Sequence, residues 1–178
     1  MERSGWLAVG MAAALMRPVG AVTVEEAYAT LLPRRRLFNP AVSTLPPAEQ
    51  AALQEIFRLT DAATVERLEV WAPLLAEERT RDVAREYGEV IHRLEQVRCP
   101  EALESVRAHI VAALAAQRRM FARWQATGQP PDPAADERLQ AASQRLLAAY
   151  HALLARYPDE PQENRDAFFD TLRAADVL

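Results

Sequence analysis

The chain contains no lysine: all 21 of its basic residues are arginine. That absence excludes a Schiff-base lysine, the lysine of a phosphate-binding loop and a Ser–Lys dyad. Cysteine occurs once, at Cys99, so no internal disulfide can form. No Cys-x-x-Cys-His is present to attach a c-type haem. Glycine is scarce, with five residues, and none builds a phosphate loop or a dinucleotide fingerprint. No Gly-x-Ser-x-Gly elbow surrounds Ser43, Ser105 or Ser143. Basic charge is also in deficit. A formal net charge of −4 argues against a nucleic-acid binder, whose footprint would be basic.

What remains is rich in helix formers. The composition is 50% hydrophobic and 26% charged, with abundant Ala, Leu, Glu, Arg and Gln. At 178 residues the chain suits one domain with a proper core.

The first 21 residues have the three parts of a cleavable secretory signal peptide. Arg3 and the α-amino group form a short charged start, followed by an apolar run from Trp6 to Met16. Pro18 then breaks any helix, and Val19-Gly20-Ala21 supplies the small residues that suit cleavage after Ala21. The apolar run is about half of the roughly 20 residues a membrane-spanning helix needs. It is apolar on every face, unlike an amphipathic surface helix. The expected location is therefore periplasmic or secreted, with no stable membrane insertion after processing.

Residues 22–45 read as a short helix followed by an irregular segment. Thr23 and Glu26 form a capping-box pattern for a helix over Val24 to Leu32, and Pro33 ends it. "PRRRLFNPAVSTLPP" has too many prolines for regular structure. Residues 46–178 read as a single helical-bundle domain. From Pro46-Pro47 an apolar stripe runs through Leu53, Ile56, Phe57, Thr60, Thr64, Leu68, Trp71, Leu74 and Leu75. Its phase is kept across Pro73, which predicts a kink rather than an end. A second stripe, from Val83 through Tyr87, Val90, Ile91 and Leu94 to Val97, is rotated by roughly 110° from the first, so a turn is expected near Glu77–Thr80.

The third helix is expected to begin at Pro100, capped by Cys99, and to bury Leu103, Val106, Ile110, Leu114, Gln117, Phe121 and Trp124. After the loop "TGQPPDP", Asp132 and Pro133 are expected to start a fourth helix with Leu139, Ala142, Leu146, Tyr150, Leu153 and Tyr157 inward. A shorter C-terminal helix carries Phe168, Phe169 and Leu172. The predicted fold is all-α: an antiparallel four-helix bundle with a short N-terminal helix, an irregular Pro/Arg segment and a short C-terminal helix.

Candidate sites are few. His92, His109 and His151 fall on three helices, but on the helical wheel they lie about 180°, 95° and 120° from their stripe centres. They read as flank or surface residues, and no metal site is expected. Glu89 and His92 give one outward-facing Glu-x-x-His unit, where a di-iron bundle needs two facing inward. No cofactor is expected. Thr60, Asp61, Thr64 and Gln117 form a candidate buried polar cluster, because an amide between Leu114 and Phe121 must find partners. Arg34, Arg35 and Arg36 could grip an acidic partner or tether their segment to the acidic bundle, while Phe168 and Phe169 are candidate contact residues.

No catalytic constellation emerges, so the expected function is binding or scaffolding, with a protein partner in the periplasm. The alternatives are a cofactor- or metal-carrying bundle and an all-helical enzyme with an Arg-lined site.

Overall fold

The computed structural model describes residues 35–75, 82–129, 132 and 136–176. The signal-like stretch 1–21, the expected helix over 24–32, Arg34, the turn near 77–80 and Pro133 lie outside the described residues. Among the described residues the fold is all-helical: α1 (Pro47–Leu75), α2 (Val83–Gln96), α3 (Glu101–Thr127), α4 (Glu137–Arg156) and α5 (Gln162–Asp176). No described helix is long and apolar enough to cross a membrane.

The helix ends follow local chemistry, with two corrections to the sequence reading. Helix α1 starts behind Pro46, whose carbonyl accepts from the Glu49 and Gln50 amides, and it runs through Pro73 to Leu75. At α2, the Asp82 carboxylate accepts from the Arg85 N–H at 3.0 Å, satisfying one of the free amides of the first turn. Cys99 does not cap α3. Pro100 occupies the cap position, in an extended conformation with φ −58° and ψ 149°, and no side chain bonds the first turn. Asp136, not Asp132, caps α4 by accepting from Arg138 N–H at 2.9 Å. Asp132 lies one turn earlier, its carbonyl receiving the Asp136 amide. At the far end of α3, Gly128 takes φ 70°, and its N–H closes on the Trp124 carbonyl at 2.7 Å. Only a residue free of Cβ adopts that left-handed turn without strain.

The helices pack as a bundle around one core. Helix α3 lies against α4, α2 and α1, while α5 packs on both α4 and α1. Tyr87 meets Gln117 and Arg107 reaches the Val97 carbonyl, so α2 and α3 form an antiparallel hairpin. Helices α1 and α5 run parallel instead: Phe57 meets Phe168, and ten residues on Arg67 meets Ala174. Leu53, Ile56, Leu94, Leu103, Ile110, Phe121, Leu153 and Phe168 are wholly buried, each contributing about 1.5–3 kcal/mol on leaving water. The C-terminal helix is therefore part of the core, with Ala167, Phe168, Leu172 and Ala175 all buried.

Candidate interaction surface

Thr60, Thr64, Arg67 and Gln117, buried inside the bundle, bond to its own groups. Thr60 and Thr64 are buried, but their hydroxyls donate to carbonyls of their own helix, Ile56 at 2.8 Å and Thr60 at 3.1 Å. They do not partner Gln117, as the sequence reading allowed. β-Branched hydroxyls four residues from a free carbonyl lone pair bond back along the helix by default. Gln117 instead accepts from the Tyr87 hydroxyl at 3.2 Å and donates to the Ala175 carbonyl at 2.8 Å. Arg67, only 2% exposed, donates to the carbonyls of both Ala174 and Ala175. A guanidinium and an amide thus close the carbonyl end of α5, where the helix dipole favours positive charge. Burial pushes the Tyr87 phenol up to about 12, so it remains a donor across the physiological range.

A strap, residues 35–45, lies across α1 and α5. Arg35 reaches Asp61 at 2.5 Å and Thr171 at 3.2 Å, its side chain nearly buried. Arg36 binds Asp170 through its backbone N–H and Nε, both at 2.9 Å, and Asp166 through Nη1. Phe38 packs against both Phe57 and Phe168, with ring centroids 6.4 and 5.9 Å away. Asn39 and Asn164 exchange two hydrogen bonds, at 2.8 and 3.0 Å. The buried Glu160 carboxylate accepts from the Thr44 N–H, the Thr44 hydroxyl and the Asn164 amide at 2.8, 2.7 and 2.6 Å. Burial alone would raise the pKa of Glu160, but hydrogen bonds from Ser43, Thr44 and Asn164 outweigh it and hold the carboxyl below its usual range. Arg35 and Arg36 are thus committed within the chain, and Asp61 belongs to the strap contact rather than to the buried cluster around Gln117.

An open groove of about 710 Å³ lies where the α2–α3 turn meets the start of α1. Ala48, Ala51 and Ala52 line one side, with Arg93, Val97 and Cys99 opposite. Partial burial pushes the Cys99 thiol up, opposite to the lowered values that mark reactive cysteines. Among the described residues no group of three or more His, Cys, Asp and Glu side chains is placed to hold a metal ion.

On the outer side of α4 and α5, Leu147 and Phe169 expose apolar surface. The sequence reading paired Phe168 and Phe169 as contact residues, but adjacent residues on a helix point about 100° apart. Phe168 is wholly buried; Phe169 is 37% exposed. Its ring meets Tyr150 edge-on at 5.5 Å, and the Arg173 guanidinium lies 5.5 Å over it. Leu147, one turn before Tyr150 on α4, is 51% exposed, and the half-buried Leu154 follows one turn after. Leu147, Tyr150 and Leu154 form a second apolar stripe on α4, beside the buried stripe through Leu146, Ala149 and Leu153. The sequence reading assigned Tyr150 to the inner stripe, but it is only half-buried, at the edge between the two; the outer stripe was missed although the i, i+3, i+7 spacing carries it.

In comparisons with known proteins, the chain matches no protein-family model, no curated protein and no solved structure.

Proposed function

We propose that this protein is exported and works as a helical-bundle binding module for a protein partner in the periplasm, through the outer face of α4 and α5. The observation that carries this reading is the clustering of Leu147, Tyr150 and Phe169 on that face. Scattered exposed apolar residues are ordinary, but neighbours from two helices forming one strip mark a contact site. Two features support it. The three-part start, ending in Val19-Gly20-Ala21, has the form of a cleaved leader. The buried polar side chains, Arg67, Tyr87, Gln117 and Glu160, bond the bundle's own groups instead of converging on an open cavity.

The experiment has two arms. N-terminal sequencing of the native protein should begin at Val22; a chain starting at Met1 would remove the export reading. Co-purification from the periplasm should then recover a partner with the wild-type protein but not with a Leu147→Glu/Phe169→Glu variant that retains its helical spectrum. Equal recovery with both would remove this face as the contact surface.

A further inference from the structure

The surroundings of the α4–α5 face indicate what it can hold, an inference that rests on the binding function proposed above. Its apolar strip is flanked by basic residues. On α5, Arg165 and Arg173 stand one turn before and one turn after Phe169, and His151 adjoins Tyr150 on α4 with ring centroids 5.7 Å apart. Arg173 and His151 are exposed and Arg165 is half-buried. Among the described residues, no carboxylate lies within ion-pairing distance of Arg165 or Arg173. Asp166 and Asp170, on the strip of α5 next to Arg173, are both held by Arg36 instead. A chain of net charge −4 thus presents, beside its exposed apolar strip, arginines whose acidic partners the described residues do not supply.

We infer that this face binds an acidic amphipathic helix of a partner protein. A third helix laid into the groove between two packed helices would place apolar residues at i, i+3/i+4 and i+7 over Leu147, Tyr150 and Phe169. Asp or Glu on its flanks would meet Arg165 and Arg173, whose planar guanidinium groups suit carboxylates. A lipid surface is the less favoured occupant. Electrostatic membrane recognition draws on clusters of about 4–8 basic residues, and this face offers two arginines and a histidine.

The test uses the full chain and synthetic helical peptides with leucines at heptad spacing, their flanks carrying either glutamate or lysine. Fluorescence anisotropy at low salt should show the glutamate peptide binding about tenfold more tightly than the lysine peptide, with the difference shrinking as salt rises. Arg165→Glu/Arg173→Glu should reverse the preference. Arg165→Gln/Arg173→Gln, a milder change should the first fail to fold, should abolish it without reversal. Leu147→Ser should weaken both peptides.

Equal binding of the two peptides overturns the inference, as does binding only to anionic phosphatidylglycerol vesicles. Failure of the glutamate peptide to bind at all, with the strip protected in the free protein by the chain's own N-terminal segment or by a second copy, overturns it as well. If co-purification depends on Leu147 and Phe169 while the peptides show no charge preference, the binding function stands and the acidic partner falls. If co-purification ignores the face, both fall.

Discussion

Replacing Gln117 by leucine tests whether the bundle core is held by a specific hydrogen-bonded junction or only by apolar packing. The substitution removes two bonds, the one from Tyr87 and the one to the Ala175 carbonyl. The Ala175 carbonyl keeps Arg67 as a donor, so that loss is worth about 1 kcal/mol, the usual net value of one hydrogen bond. The Tyr87 hydroxyl is different. With Tyr87 wholly buried, losing its acceptor adds a desolvation cost of about 1–3 kcal/mol. The single variant should therefore lose about 2–4 kcal/mol, which at this chain length lowers Tm by very roughly 4–16 °C. Tyr87→Phe alone leaves the Gln117 carbonyl oxygen without that donor and should cost about 1–2 kcal/mol. The double variant removes both members of the pair, so its cost should fall short of the sum by about 1 kcal/mol or more. Urea unfolding of all four proteins, followed by circular dichroism, gives this coupling directly. Additivity within about 0.5 kcal/mol would refute the reasoning.

Three further outcomes follow from other parts of the fold. Gly88→Ala in α2 should stabilise by about 0.5–1 kcal/mol, because a Cβ there meets only the movable end of the exposed Arg118, its Cζ at 3.1 Å; a lower urea midpoint would show that Arg118 cannot yield. The folded-state pKa of Glu160 lies below its ordinary value of 4.5, so its ionised form contributes stability that is present above the unfolded pKa and is lost as pH falls through the folded one. Glu160→Gln should therefore flatten the acid side of the stability curve below about pH 4.5, and an unchanged slope would contradict the strap contact. Phe168→Ala should cost about 3–5 kcal/mol and Phe169→Ala about 1 kcal/mol or less, measured by thermal unfolding; comparable losses would mean that the inward and outward assignments are mistaken.

How much of this was legible in the sequence depends on whether the determining partner was near or far along the chain. The helices and their buried faces were legible because each carries its own 3.6-residue stripe, and burial at Leu53, Ile56, Leu103, Ile110 and Leu146 follows it. Gln117 stood out as a buried amide for the same reason. Its partners did not, since Tyr87 is 30 residues away and the Ala175 carbonyl 58. Arg67 was invisible as a core residue. An arginine beside an apolar stripe reads as its edge, and this one is buried because the carbonyl end of α5 arrives more than 100 residues later. Arg35 and Arg36 announced a charged contact, but only the fold decides that Asp61, Asp166 and Asp170 receive them. The caps of α3 and α4 were misplaced by one and four residues because neighbouring positions offered equally plausible cap chemistry. The outer strip on α4 was written in the sequence at Leu147, Tyr150 and Leu154. What hid it was the stronger stripe beside it.

The central claim is that the α4–α5 face contacts a partner protein in the exported compartment. Site-specific photo-crosslinking in the native host tests it most directly, with the reactive side chain placed at position 169 and, as a control, at the exposed Arg58 on α1. The account predicts one discrete heterologous adduct from position 169, found in the periplasmic fraction, lost with Leu147→Glu and absent from position 58. No adduct, an adduct confined to the cytoplasm, or the same adduct from both positions would contradict it.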